Sequence, residues 1–243
     1  MAEQNKTCII ISCHANVDNL LSQLDMICSA KMGVFLIDDN NNERDLSHIK
    51  KGIAGKKQIV LLINKKPFGR GSAFRRGIEH ASYRGYDRGI LMDASVQMDK
   101  DSFEGLVHHA VEINKNNLIC GVNRVGLDNA VSRFWLKMDI GSVESEMSNL
   151  SSVMVLPLNA ARKILTKHDV GQGLNFSAEM LVRMYWAGID YNIRHIKISE
   201  KSQESVMPLE DRDKFRSSLP MKNISMYFEK VCHMGRITRR EYF

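Results

Sequence analysis

No apolar run in this 243-residue chain approaches the ~18 residues that suggest a membrane-spanning helix. No long apolar segment follows Met1-Ala2-Glu3-Gln4-Asn5-Lys6 either, so a secretory leader is not expected and the reading is cytoplasmic. Cysteine is sparse: Cys8, Cys13, Cys28, Cys120 and Cys232 are odd in number, widely spread and include no Cys-x-x-Cys. That argues against a disulfide framework or structural zinc site and for buried cytosolic thiols. Internal repeats and low-complexity tracts are absent. So are two phosphate-binding signatures. There is no Gly-x-x-x-x-Gly-Lys-Ser/Thr, and no Gly-x-Gly-x-x-Gly follows the first apolar run.

What remains is a globular composition, 44% hydrophobic and 26% charged, long enough to bury a core without crosslinks. The formal net charge of +6 suits anionic partners such as nucleotides or lipid phosphates. Basic residues gather late, at Lys214, Arg216, Lys222, Lys230, Arg236, Arg239 and Arg240. They read as a solvated helical face or as attraction to a negative membrane surface. Nucleic acid is not an expected partner, since no recognisable module accompanies the charge.

The first half alternates short apolar runs with amphipathic stretches. Cys8–Ile11, Val34–Ile37, Gln58–Ile63, Gly89–Met92 and Leu118–Val122 predict strands. Asp18–Ala30, Leu46–Ala54, Ser72–Tyr83 and Ser102–Asn114 predict helices. The order implies an α/β fold, a mainly parallel sheet with helices on both faces. Polar segments at Ser12–Asn16, Asp38–Asn42, Asn64–Gly71 and Asp93–Gln97 then fall beyond strand carboxyl ends, where such sheets bind ligands. The second half is less regular. It predicts helices over Ala130–Met138, Leu158–Leu165 and Ser177–Ala187, and strands over Val153–Pro157 and Tyr191–Ile198. Gly141–Ser152 reads as a loop and Glu200–Asp213 as a polar connection.

Each polar cluster has a structural and a chemical reading. Asp38 and Asp39 are turn or cap residues, or acceptors for a base or ribose. Asn64 to Ala73 precedes a helix. Gly69 and Gly71 would let backbone approach a ligand, and Lys65, Lys66 and Arg70 would add charge near a diphosphate. Asp93 caps a turn, or with Gln97 supplies oxygens to a hard divalent cation. Glu179 is a buried acid aimed at a pocket, or part of a polar helix stripe. His14 and His108-His109 read as packing or surface histidines.

Taken in order, these pieces resemble the GT-A glycosyltransferases of family 2, of the dolichol-phosphate mannose synthase type. The resemblance rests on Leu36-Ile37-Asp38-Asp39-Asn40-Asn41, on Asn64, and on Gly69-Arg70-Gly71-Ser72-Ala73-Phe74-Arg75-Arg76-Gly77. Leu91-Met92-Asp93-Ala94-Ser95-Val96-Gln97 completes the set, and Phe176-Ser177-Ala178-Glu179-Met180-Leu181 resembles the family's later acidic helix. The resemblance implies a nucleotide-diphosphate sugar as donor and a glycan or lipid-linked acceptor, with inverting transfer and a role in cell-surface polysaccharide synthesis. Asp39 and Asp38 would hold the base or ribose, and Ser12 and His14 would line the base pocket. Asn64, Gly69, Arg70, Gly71 and Arg75 would face the donor. Asp93 and Glu179 would carry catalysis. Asp93 and Gln97 would hold Mg2+ or Mn2+.

Three departures stand out. Ser95 occupies the place of the family's second metal-binding Asp. Met98 replaces a polar residue, and Ser151-Ser152-Val153-Met154 stands where Ser-Gly-Phe-Arg is common. Ser95 and the missing arginine motivate a second reading, a non-catalytic nucleotide-sugar-binding or scaffold protein. The implied organisation is one GT-A-like domain over 1–205, split at about 125 into donor and acceptor halves, with a basic helical tail over 206–243. The membrane reading of that tail puts the protein at the inner face of a membrane.

Overall fold

The computed structural model describes residues 6–66, 69–112, 118–122, 150–168, 170, 176–189, 191–195 and 198–200. The helix expected over 130–138, residues 141–149 of the predicted loop, the connection beyond Glu200 and the basic tail lie outside them.

The chain opens with β1 (Thr7–Cys13), buried along its whole length. Its Ile9-Ile10-Ile11 run is apolar on both sides because both faces of the sheet are covered. Then come α1 (Val17–Ser29), β2 (Gly33–Asp38), α2 (Glu43–Ile53), β3 (Ile59–Ile63) and α3 (Arg70–Tyr83). β4 (Arg88–Asp93), β5 (Val96–Met98) and α4 (Lys100–Glu112) follow. The rest comprises β6 (Leu118–Val122), β7 (Leu150–Pro157), α5 (Leu158–Lys167), α6 (Phe176–Trp186), β8 (Tyr191–His195) and β9 (Ile198–Glu200).

Among the described residues, seven strands form one sheet in the order β3-β2-β1-β4-β7-β6-β8. β3, β2, β1 and β4 are mutually parallel. β7 runs antiparallel to both its neighbours, and β8 is parallel to β6. The mainly parallel sheet with helices on both faces is therefore present, with one reversed strand. β5 and β9 pair separately.

Period-two alternation gives each face its own core. Ile10, Phe35, Ile37 and Leu91 meet α3, α5 and α6 through Phe74, Ile164 and Met180. Ile9, Ile11, Leu36 and Met92 meet the other helices through Leu20, Leu24, Ile49 and Phe103. Gly77 lets α3 lie close to the sheet, because a Cβ there would collide with Ile10 and Ile37. Among the described residues no helix is long and apolar enough to cross a membrane.

Several boundaries differ from expectation. Residues 150–152 of the predicted loop begin β7, because Leu150 pairs with Val122 of β6. The single late strand is split into β8 and β9, and Glu200 belongs to β9. Gln97 lies in a short strand, not in a loop, because residues 96–98 pair antiparallel with β9. α3 starts at Arg70, so Arg70 and Gly71 are in its first turn and Gly69 is the N-cap.

Candidate functional site

β1 is flanked by β2 on one side and β4 on the other, so the strand order reverses there. That is the switch point at which open α/β sheets bind ligands. Register places Cys13 beside Asp38, and Ser12 beside Asp93. The two acidic residues thus end the strands on either side of β1, two strand spacings or ~10 Å apart. Alternation turns Asp38 toward the α1 and α4 side and Asp93, with Ser12, toward the α3 side.

Asp38 is 1% exposed. Its Oδ1 accepts from Asn41 Nδ2 at 2.5 Å, while its Oδ2 has no hydrogen-bond partner. Asn41 also donates to Cys13 O at 3.0 Å and accepts from Ala15 N at 2.7 Å, so one amide joins the loops after β1 and β2. In the sequence, Asn41 falls in the polar segment after β2 and in the resemblance motif, without a role of its own; the signal for one was an Asn three residues after an Asp.

Burial pushes the Asp38 carboxyl above its ordinary value, against the hydrogen bonds from Asn41 that lower it. A carboxyl raised in the fold favours folding below its unfolded pKa, and that benefit is lost as pH rises through the folded value. Asp38→Asn keeps the acceptor for Asn41 and removes the buried charge. The variant is expected to be about 1 kcal/mol more stable than the native protein at neutral pH, or about 2–4 °C in Tm. The gain should shrink as pH falls below the carboxylate range. Thermal unfolding between pH 3 and 8 checks this, and a variant equally or less stable at neutral pH refutes it.

Asp39 has different partners. Its Oδ1 accepts from Asn64 Nδ2 and its Oδ2 from Gly69 N, each at 2.9 Å. Asp39 therefore pins the loop between β3 and α3. Asn64 in turn donates its N–H to Asp38 O at 2.8 Å and accepts from Arg76 through Oδ1. Arg76, which sequence reasoning did not single out, also donates to Ile63 O at 2.7 Å. Gly69 has φ 88, a left-handed conformation that only glycine adopts cheaply. No side chain caps α3, so its N-terminal N–H groups are a potential anion site. Arg75 donates to Leu165 O at 3.2 Å, away from that end, and its Nη2 has no partner. Arg70 and Gly71 belong to the first turn.

The exposed His14 places Nδ1 3.0 Å from Asp39 O. A carbonyl only accepts, so Nδ1 carries the proton and Nε2 is left as an acceptor when the ring is neutral. Ser12 is fully buried and its Oγ has no partner.

On the other flank, Asp93 is 6% exposed and its Oδ1 accepts from Ser95 N at 2.9 Å. Ser95 is fully buried with an unpartnered Oγ. Gln97 is on the exposed side of β5, between buried Val96 and Met98. Among the described residues no group of three or more His, Cys, Asp or Glu could hold a metal ion. One carboxylate beside a free hydroxyl suits a hard cation that takes most of its oxygens from a ligand's phosphates. The Ser151–Met154 stretch lies in β7, where Val153 and Met154 are core residues.

Glu179 and Arg183 form a buried ion pair on α6, with Nε to Oε1 at 3.0 Å. Glu179 is 8% exposed, so the polar stripe it shares with Arg183 is buried. His108 contacts Glu112 on exposed α4 surface, 3.0 Å away. Cys8, Cys13 and Cys28 carry free thiols, and burial pushes that of Cys13 up to about 12.

The family described as Glycosyl transferase family 2 matches residues 8–153. Glucosyl-3-phosphoglycerate synthase from Mycobacterium tuberculosis, solved with Mn2+, uridine-diphosphate-glucose and glycerol 3-phosphate, is similar in fold. Its TM-score is 0.66 at 12% identity, over 93% of this chain and 80% of that one. A mannosyltransferase from Pyrobaculum calidifontis, solved with GDP-Man and Mn2+, gives a TM-score of 0.55 at 10% identity. That match covers 78% of this chain and 55% of the other. At such identities the likeness is one of fold. No curated protein matches in sequence.

Proposed function

The chain belongs to glycosyl transferase family 2, and we propose that it transfers a sugar from a nucleotide-diphosphate donor bound across the carboxyl ends of β2, β1 and β4. The observation that carries this reading is a set of buried oxygens without partners at that rim, on Ser12, Asp38 and Ser95. Unpaired buried acceptors oppose folding, and a polar ligand would satisfy them.

In this reading Asp38 Oδ2 accepts a hydrogen bond from the base or ribose, with His14 on the same rim and Asp39 holding the loop, while Ser12 lines the pocket from the Asp93 side. The diphosphate would lie toward Gly69, Arg70, Gly71 and the α3 N-terminus, with Asn64 supporting that side; Arg75, which bonds Leu165 O, has no part in holding it. Asp93 takes the cation, Mg2+ or Mn2+, with Ser95 as its close neighbour and Gln97 as the outer one. A divalent ion bound there would neutralise the departing diphosphate. Both solved structures named above hold Mn2+ and a nucleotide sugar, which supports this assignment.

Transfer would be inverting: the acceptor oxygen forms its bond to the anomeric carbon as the bond to the diphosphate breaks. A lipid-phosphate acceptor is already anionic and needs orientation more than a base. A glycan hydroxyl would need one, and the Glu179 carboxylate is the proposed base on that side, taking the hydroxyl proton as the new bond forms. Residues 1–125 would then serve the donor and 126–205 the acceptor, in a cytoplasmic protein making cell-surface polysaccharide or glycolipid. The basic residues from Lys214 onward support contact with an anionic membrane surface; vesicle sedimentation that shows no salt-sensitive binding would remove that part.

The test is turnover of UDP- and GDP-sugars with Mg2+ or Mn2+. Metal-dependent release of nucleoside diphosphate is expected. Ser95 favours a second reading, a donor-binding protein without catalysis. If the native protein binds donor but turns none over, and Ser95→Asp gains metal-dependent turnover, the second reading replaces the first.

A further inference from the structure

Two amides on α1 are buried on the face that otherwise carries Leu20, Leu24 and Ile27. Asn19 is 4% exposed and Gln23 6%. Amides in an apolar layer are costly unless hydrogen-bonded. These two bond to the backbone just beyond Asp93, on a different element. Asn19 Nδ2 donates to Ala94 O at 2.6 Å and to Val96 O at 3.2 Å. Gln23 Nε2 donates to Val96 O at 2.7 Å, and Gln23 Oε1 accepts from Met98 N at 3.1 Å.

The two carbonyls held by Asn19 lie on either side of Ser95. The Ala94 carbonyl shares its peptide plane with the Ser95 N–H, so Asn19 fixes that N–H directly, while the Val96 carbonyl, held by Asn19 and Gln23, fixes the 96–97 peptide beyond it. The Ser95 N–H is the donor to Asp93 Oδ1, at 2.9 Å. Ala94 N is fixed in turn on Ser12 O at 2.8 Å. α1 therefore holds the peptide whose N–H bonds the Asp93 carboxylate.

We infer that Asn19 and Gln23 are positioning residues for the cation-diphosphate part of the donor site and take no part in holding the base. The inference rests on the reading of Asp93 as the donor-side carboxylate. A carboxylate misplaced by even 1 Å loses much of its effect on a bound ion. The base side is held separately, by Asn41 and Asp39.

The experiment is calorimetric titration of the full chain with UDP and GDP, each with and without Mn2+, and with uridine and guanosine. The variants are Gln23→Met, which keeps the volume without the hydrogen bonds, and Asn19→Ala. The expected result is a roughly 10-fold or greater loss of the Mn2+-dependent gain in diphosphate affinity, with nucleoside affinity changed less than about twofold. A purely structural role would lower Tm and leave that ratio alone. If Gln23→Met does not fold, Asn19→Ala carries the test. An unchanged Mn2+-dependent gain in the folded variants overturns the inference and leaves the donor-site reading intact. Absence of any such gain in the native protein overturns the Asp93 reading and the positioning role together.

Discussion

Asp93→Asn is expected to lower kcat/KM for sugar transfer by at least about 1000-fold, equivalent to ~4 kcal/mol of transition-state stabilisation, while Tm moves little. Asn has nearly the same shape, and its Oδ1 still accepts from Ser95 N, so the turn persists. What disappears is the negative charge. In many sites a second carboxylate would cushion the loss, but here the neighbour is Ser95, whose hydroxyl is a weak ligand. The protein contribution to holding the cation would then fall mainly on one side chain. Steady-state kinetics at saturating Mn2+, with thermal unfolding alongside, is the measurement. Activity within tenfold of native in a folded variant would move the cation elsewhere and undo the proposed site.

Glu179→Ala is expected to cost about 3–5 kcal/mol of stability, since it removes one member of a buried ion pair. In a chain of this size that is about 10 °C in Tm. Arg183, 3% exposed, would lose its ion pair with residue 179 on the same helix face. Glu179→Gln separates packing from chemistry, because its amide oxygen still accepts from Arg183 Nε and fills the same volume. If Glu179 serves as the base on the acceptor side, the Gln variant loses turnover with much of its stability retained. If it is structural, the two properties fall together or neither falls. A Glu179→Ala protein as stable as the native one would show that the pair contributes little to the fold.

The parallel half of the sheet was legible because its strands are covered on both faces. That burial makes Ile9-Ile10-Ile11 and Val34-Phe35-Leu36-Ile37 continuous apolar runs, each ended by polar turn residues. β5 and β9 span only three residues apiece, too few to display a period, and exist because they find each other. β7 reaches back into Leu150 for the same reason: pairing with β6 outweighs the polar character of Ser151-Ser152.

The site was legible as a set of segments at strand ends. Its division of labour was not. Asp38 and Asp39 are adjacent and chemically identical, yet Asp39 is bound to Asn64 and Gly69 while Asp38 keeps one oxygen without a partner. That difference depends on partners 25 and 30 residues away. Asn19 and Gln23 were hidden in the same way, because a helix face shows where an amide lies and not which backbone it bonds.

The pairing of β5 with β9 has a consequence for how the molecule is made. Val96 is matched with Glu200, so the strand just after Asp93 has no partner until about 100 further residues have been synthesised. At ~5–20 residues per second that is a delay of roughly 5–20 s on the ribosome. The N-terminal strands, α1 and the turn carrying Asp93 can assemble during that interval, and β5 gains its strand partner afterwards. Translation therefore imposes a sequence on assembly in which the donor rim forms before its outer wall.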